Sequence, residues 1–544
     1  MSRVAPVLVL ILNLAVAATV RAASIPVPCS PSALVDAINT ANGNAVDDVI
    51  ELASGCTYTL SAVDNTDPDY GPNGLPMVMT SNALVIHGNG ATLARSDAPG
   101  TPDFRVLDVS MAVPGPGGGA PQFMLDHVTI RNGRVADTGQ GYTPAGGGLL
   151  LQGSEAAGPA VLDDLTLLGN QAYAGGGMAQ AYAGLVDLQN SLVTDNIGGL
   201  YGGGIAATAG QLVIASSRIT NNQQGSPGLL SDPLAYLVSG GGGLASYLCD
   251  ALTILDSEIS GNQAYGLGGG GIGILATPGS MVNARVHDNG ISIPDDVNPG
   301  FNVEFGGGGG MALGNFSAAG SAPDFTIQRS AIYANTAQGS AGGIGYAGSI
   351  TSAINNTTVS GNQAGTRGGG IGNAAQLLLL VNATVAANTA PRGAGLDIGT
   401  YADPNGNLTT GTAWYINTAI ADNAGSSDCY NDGGSVTDNL GSLLEIDAAG
   451  ANACDGVSGK NFALRADPGL SPWSDHGGPD PSHLPLPGSP LIDAGVSGWN
   501  SSPTDQRGDC FLRVRGVGLD IGAIESGNQE VLFCAGFDPS QVLN

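Results

Sequence analysis

Carboxylates are the reactive groups this chain holds in quantity: Asp and Glu number 45 against 16 Lys and Arg, with five His. Two facing carboxyls can act as acid and base on a glycosidic bond. Grouped carboxylates also suit hard cations such as Ca²⁺. The candidates are Asp126, Asp163, Asp164, Asp250, Asp256, Asp288, Asp295 and Asp296. His87, His127, His287, His476 and His483 show no metal-ligand spacing. His127 and His287 read as half-exposed strand residues. Cys249 has no His near it in sequence, so it reads as a buried thiol, not a nucleophile. Aromatic residues beside carboxylates form a second group: Tyr142, Tyr236, Asp295, Asp296, Phe301 and Phe305, with Leu229 and Leu230. Such a mixture suits contact with carbohydrate or protein.

What positions these residues is a repeat. Asn marks fall at Asn132, Asn170, Asn196, Asn222, Asn262, Asn289, Asn335, Asn362, Asn388 and Asn423. All but Asn132 have an apolar residue three positions earlier, such as Val193, Ile219 and Ile259. Gly runs alternate with them and end at Leu149, Met178, Ile205, Leu244, Ile272, Met311, Ile344, Ile371 and Leu396. The shortest full repeat is 26 or 27 residues. Short Val-, Ile- and Thr-rich runs between the marks read as strands. Three short strands and three turns make one coil of a parallel β-solenoid.

The marks have physical reasons. Asn tolerates a left-handed backbone and can sit at a tight corner. Coils stack at about 4.8 Å, so equivalent amides can bond up the rod. The Gly run suits positive φ and close approach of coils. Five residues before the Asn the residue is usually small, as at Ser191, Ser217 and Ser257, which a narrow interior requires. Insertions at 133–145, 223–239 and 290–305 all extend one corner, so they must emerge along one edge of the rod and carry the aromatic and acidic group named above. By phase against the Asn marks, Asp126 and Asp256 match but lie about four coils apart, ~19 Å, too far for paired chemistry.

Ile259-Ser260-Gly261-Asn262 with Gly269-Gly270-Gly271-Ile272 resembles the repeat of polymorphic outer-membrane proteins. That resemblance implies a right-handed, single-stranded parallel β-helix similar to pectate lyases in fold. Gly488–Gly495, Thr504–Gly508 and Leu519–Glu525 resemble the choice-of-anchor Q domain, which follows such repeats in secreted bacterial proteins. Seven charges crowd between Asp505 and Glu525 (Asp505, Arg507, Asp509, Arg513, Arg515, Asp520 and Glu525), and an ion-paired cap is expected of them. Val531–Asp538 is similar to short sorting tails.

Arg3, the apolar Val7–Val20 run and Val20-Arg21-Ala22 read as an export signal, with no membrane-length apolar segment after it. The expected organisation is a signal peptide over 1–22 and an N-terminal cap helix with first strands over 23–60. The β-helix follows over 61–428, an anchor-type cap over 429–525 and a tail over 526–544. Proximity suggests disulfides Cys29–Cys56, Cys429–Cys454 and Cys510–Cys534. A formal charge of −29 argues against nucleic acid or an anionic membrane as partner. It leaves Ca²⁺ as a compatible cation, with no other cofactor expected. The expectation is an exported, non-enzymatic surface or extracellular bacterial protein that contacts matrix, a host or cell-surface ligand, or polysaccharide. The alternative is a polysaccharide lyase or glycoside hydrolase on the same fold.

Overall fold

A computed structural model describes residues 23–44, 46–80, 82–111, 122–135, 142–153, 158–182, 184–225, 240–266, 268–292, 307–315, 324–402, 408–438, 440–454, 464–499, 502–508 and 511–527. Residues 1–22, where an export signal is expected, Cys510, Cys534, Asp509 and the tail beyond Gly527 lie outside them, as do Leu229, Leu230, Tyr236, Asp295, Asp296, Phe301 and Phe305.

One coil shows the path. The chain runs through Met178–Tyr182, Leu185–Gln189, Leu192–Thr194 and Ile197–Tyr201, then turns at Gly202–Gly204 into Ile205–Ala207. Each strand pairs in parallel with its equivalent one coil on: Met178 with Ile205, Val186 with Leu212, Val193 with Ile219, Ile197 with Gln223. The fold is a right-handed parallel β-helix. Its coil holds a fourth strand beyond the three expected, and these short strands form an eight-stranded sheet of their own. Parallel pairing continues past residue 428, through Cys429–Asn431, Ser435–Asp438 and Leu443–Leu444. The interior is one apolar column from Val27 to Cys454, in which Val193, Ile219, Ile259 and Val286 are wholly buried.

The Asn column is a hydrogen-bond ladder. Asn196 Oδ1 accepts the backbone N–H of Asn170 at 2.9 Å and its Nδ2 at 3.0 Å, while Asn196 Nδ2 donates to Leu167 O at 2.9 Å. Asn222, Asn262, Asn289, Asn335, Asn362, Asn388 and Asn423 repeat the pattern. At the start Gly133, not Asn132, occupies the slot and donates its N–H to Asn170. At the far end Asp428 replaces the next Asn and accepts from Asn423 N and Nδ2 at 2.9 and 2.8 Å. Burial raises the Asp428 carboxyl above its ordinary range.

The ladder explains why the Gly runs keep step with it. A Cβ on the last Gly of a run would lie 2.8–3.0 Å from an Asn carboxamide: Gly204 against Asn222, Gly243 against Asn262, Gly395 against Asn423. The middle Gly lies on the outgoing strand of the next coil, where a Cβ would sit 2.5 Å from a carbonyl oxygen (Gly203 on Gln223, Gly242 on Gln263). The first Gly takes the left-handed turn, as Gly202 does at φ +55°. Outgoing strand and returning Gly run thus form a thin two-layer fin that holds only small apolar clusters, Ala264 with Ile291 and Ala337, and Ala364 with Ala390 and Ala394.

One expectation is corrected. The left-handed residue is not the ladder Asn but its predecessor: Asp195 (57°), Asn221 (57°), Asp288 (53°) and Asp422 (56°). The Asn side chain is committed inward, so the corner's strain falls one position earlier. The small residues five before each Asn also do more than fill a narrow space. Ser217 Oγ accepts Ser191 N–H at 3.0 Å and donates to Ala215 O at 2.8 Å. Ser191, Ser257, Ser330, Thr357, Thr418 and Ser442 make the same pair of bonds, forming a second, hydroxyl ladder.

The ends are closed differently. The helix Pro31–Gly43 buries Leu34, Ala37 and Ile38 over the first coil, with Pro at its start. Cys29–Cys56 and Cys429–Cys454 are bonded, and Cys249 is free and buried. The C-terminal segment folds back along the outer face of the rod. There Ala523 N donates to Thr384 Oγ1 at 2.9 Å, and Gly522 N donates to Asn417 O at 2.8 Å. The charges between Asp505 and Glu525 include internal pairs: Arg507 pairs with Asp505, Arg513 lies 3.9 Å from Glu525, and Asp505, Arg513, Asp520 and Glu525 are fully buried. Burial pushes the Glu525 carboxyl up to about 8. No helix among the described residues is long and apolar enough to cross a membrane.

Asn262→Ala removes the acceptor of Asn222's backbone N–H and side-chain amide together. We expect it to lower stability by about 2–4 kcal/mol, since buried donors left without partners cost ~1–3 kcal/mol each. Gly243→Ala, which drives a Cβ against the same amide, should act in the same direction. Urea unfolding checks both; a shift of the Asn262→Ala midpoint no larger than that of an exposed-site control would contradict the ladder's role.

Candidate functional site

Among the loop residues expected to meet a ligand, Tyr142 is the one within the described residues. It does not point freely from the rod. Its ring lies over Gly71, where a Cβ would be 2.8 Å away, and Thr143 N donates to Asp69 O at 2.9 Å. It thus covers a hairpin, Asn65–Asp67 with Gly71–Asn73. Arg105 is buried beneath that hairpin, bonded to Asn73 Oδ1, Tyr70 O and Ala145 O. The flanks of the other two insertions, Gly225 and Gly240, Ser292 and Gly307, stand at the tip of the fin.

Along that tip runs an aromatic row. Tyr173 and Tyr201 occupy outgoing strands of adjacent coils, edge to face at 6.5 Å between ring centroids. Tyr201 meets Tyr247 of the next coil at 5.1 Å, again edge to face. Tyr247 donates its hydroxyl to Gly240 O at 3.3 Å, and burial raises both the Tyr201 and Tyr247 hydroxyls above the ordinary tyrosine value. Tyr173 rests on Gly199, and Tyr265 on Gly225, where side chains would leave no room. Tyr173, Tyr201 and Tyr265 remain partly exposed. A signal was available: Tyr173 and Tyr265 both stand three residues after a ladder Asn.

The carboxylates resolve otherwise than their sequence phases suggest. Because the first ladder slot is Gly133, Asp126 aligns with Asp163 on the adjacent coil, and His87 with Asp126. Asp256 instead lies at a left-handed corner, like His127 and Asp164. His87 Nδ1 is 2.7 Å from Asp126 Oδ2, His127 Nδ1 is 3.2 Å from Asp126 Oδ1, and His127 Nε2 is 3.6 Å from Asp164. One carboxylate therefore holds two imidazoles. Its hydrogen bond raises His127 above the usual histidine value, while His87 engages the same carboxylate through Nδ1. Such a pair can take and give protons. His127 is the half-exposed strand residue expected, in Phe123–Arg131, with the carboxylate contact added.

A third cluster lies where the C-terminal segment meets the rod. Glu258 stands 3.6 Å from Arg218, 3.8 Å from Arg285 and 3.4 Å from His287 Nε2. His287 Nδ1 contacts Asp288 at 2.7 Å and its ring stacks on Tyr333 at 4.6 Å. Tyr333 contacts Trp473, and Trp473 contacts His483, whose Nε2 lies 2.8 Å from Ser360 Oγ. Asp480 faces Arg285 Nε at 3.6 Å. Asp250 lies exposed outside these clusters, and burial raises the Cys249 thiol, which stands apart from every histidine contact described above. Among the described residues, no group of three or more His, Cys, Asp or Glu is arranged to hold a metal ion.

No protein-family model matches this chain, and no curated protein matches it in sequence. Among solved structures, the crystal structure of pectate lyase Pel9A is similar at 13% identity and a TM-score of 0.35, over 93% of this chain and 97% of that one. A likeness of that size says nothing about site or reaction.

The His127 ring should titrate above an ordinary histidine, and Asp126→Asn should bring its midpoint down. NMR titration of the imidazole protons checks this; equal midpoints in the two proteins would contradict the shared carboxylate.

Proposed function

We propose that this chain is an exported, non-enzymatic rod at or beyond a bacterial cell surface that contacts polysaccharide along its loop-bearing edge. One observation carries the reading: Tyr173 and Tyr201 on outgoing strands of the fin and Tyr247, at the end of the strand Leu244–Tyr247 that follows the Gly run, form three rings in successive contact. Aromatic rings offer apolar area with a polar tip, the combination a sugar's faces and hydroxyls call for. The coil spacing of about 4.8 Å lets successive rings meet successive parts of an extended glycan. Rigid scaffolds commonly carry contact residues on such loops. A choice-of-anchor role for the C-terminal segment, retention at the outer surface and a Ca²⁺ contribution belong to the same proposal.

Glycan-array and pull-down binding tests it. Tyr173→Ala with Tyr201→Ala should weaken binding about tenfold or more, roughly 1.4 kcal/mol, with unfolding little changed. Deleting 293–306, beyond the Gly290–Ser292 strand, should reduce binding and leave the coil intact. Full binding in both variants would overturn the reading.

His87, Asp126 and His127 favour a second reading, a polysaccharide lyase or glycoside hydrolase in which His87 is base and His127 acid. Incubation with glycans and Ca²⁺, watching for unsaturated uronate or new reducing ends, separates the two. Product formation that His87→Ala abolishes would replace the binding reading with the enzymatic one.

A further inference from the structure

Asp480 has no ordinary reason to be buried. It is 4% exposed, and neither carboxylate oxygen has a hydrogen-bond partner. Its neighbours explain the lack: Pro479 and Pro481 flank it, and the ring of Pro481 removes the N–H that would otherwise close a local turn on the carboxylate. The cation facing it is Arg285 on the rod, Nε at 3.6 Å. That guanidinium is shared, since it also lies 3.8 Å from Glu258 and donates to Pro479 O at 3.4 Å. An ionised Asp480 here would have part of one cation and no N–H. A protonated one is neutral and fits.

Asp480 sits at the leading edge of the C-terminal segment, where that segment covers the outer face of the rod. Trp473 against Tyr333 and His483 against Ser360 complete the seam. We infer that the 471–484 stretch is a proton-dependent cover, seated on the rod while Asp480 carries its proton and loosened when Asp480 ionises. Beneath it lie Tyr333, Ser360 and, beyond them, His287, so loosening presents a polar-aromatic face on the same stack of strands that carries the anchor at Thr384 a coil further on.

The sign follows from the groups facing the seam. Burial raises the Asp480 carboxyl from 3.8 to about 7, against a lowering by Arg285. A raised acid contributes to seating in full below about pH 4, and the contribution is lost as pH climbs from there to about 7. His483 and His476 work the other way. Burial lowers both below the ordinary histidine value, so their contribution is present above it and lost as pH falls. Arg218, Arg285, Glu258, His287, Asp288, Tyr333, Asp475 and the Arg507–Asp505 pair also stand about the seam; Arg507 donates to His476 O and helps lower His476, and Arg285, Asp480, Asp288 and Glu258 all act on Tyr333. Seating is therefore tightest at mildly acidic pH and has two limbs, of which Asp480 owns the alkaline one.

Hydrogen exchange of the full-length protein from pH 5 to 8, corrected for the intrinsic pH dependence of exchange, tests this. Protection of peptides within 471–484 should fall from its maximum by up to roughly 10² toward pH 8, because each pH step between the acid's free and seated midpoints weakens seating about tenfold and pH 5 to about 7 spans two such steps. Peptides holding the Asn ladder should not change. Asp480→Asn should flatten the alkaline limb and leave the acidic one. Fluorescence of Trp473, read against Trp473→Phe, should follow the same curve. Level protection from pH 5 to 8 in the unmodified protein, or an unaltered slope in Asp480→Asn, would overturn the inference.

Discussion

Everything in this molecule is arranged around a carboxamide lying in a space that only glycine leaves open. The Asn side chain enters the interior between two coils, accepts two hydrogen bonds from the coil before and returns one to a carbonyl there. It can do so because the facing Gly lacks a Cβ. The bonds bridge coils, so each amide is both a rung and a spacer, and mis-registered coils would bury unpaired donors. A column of that kind needs both ends answered: Gly133 donates at one end, and Asp428 accepts at the other.

The fin follows from the same constraint. Glycine next to the ladder brings the returning chain against the outgoing strand at backbone distance, and a two-layer arm with only small apolar clusters of its own results. Chain inserted at its tip disturbs no packing, which is why the long insertions collect there. The tyrosines on its outgoing strands meet rings of neighbouring coils. The arm thus separates what must be uniform, the ladder and the apolar column, from what can vary. Function is proposed for the variable part.

Sequence periodicity revealed the coil, the amide column and the apolar residues three before each Asn, because each repeats against itself. It misled where a mark slipped by one. Reading Asn132 as a rung displaced Asp126 by a residue and hid its alignment with Asp163 and His87. The hydroxyl ladder looked like mere smallness, since Ser and Thr share their size with Ala, and Ala284 and Ala383 do occupy two of its slots. The fourth strand was hidden in the few residues between Asn and Gly, too short to show alternation. The seam at Asp480 was beyond reach altogether. It joins residues near 285 and 480, and no repeat relates the C-terminal segment to the coil it covers.

The ladder itself is open to direct measurement. In protein labelled with ¹⁵N at asparagine, side-chain amide protons of the column should exchange with deuterium far more slowly than those of an exposed Asn such as Asn221, because each is buried and donates to a carbonyl and to the next amide. Slow exchange in a set the size of the column, lost together in Asn262→Ala for the rungs beside it, is what this account predicts. Column amides exchanging at the rate of the exposed ones would contradict it.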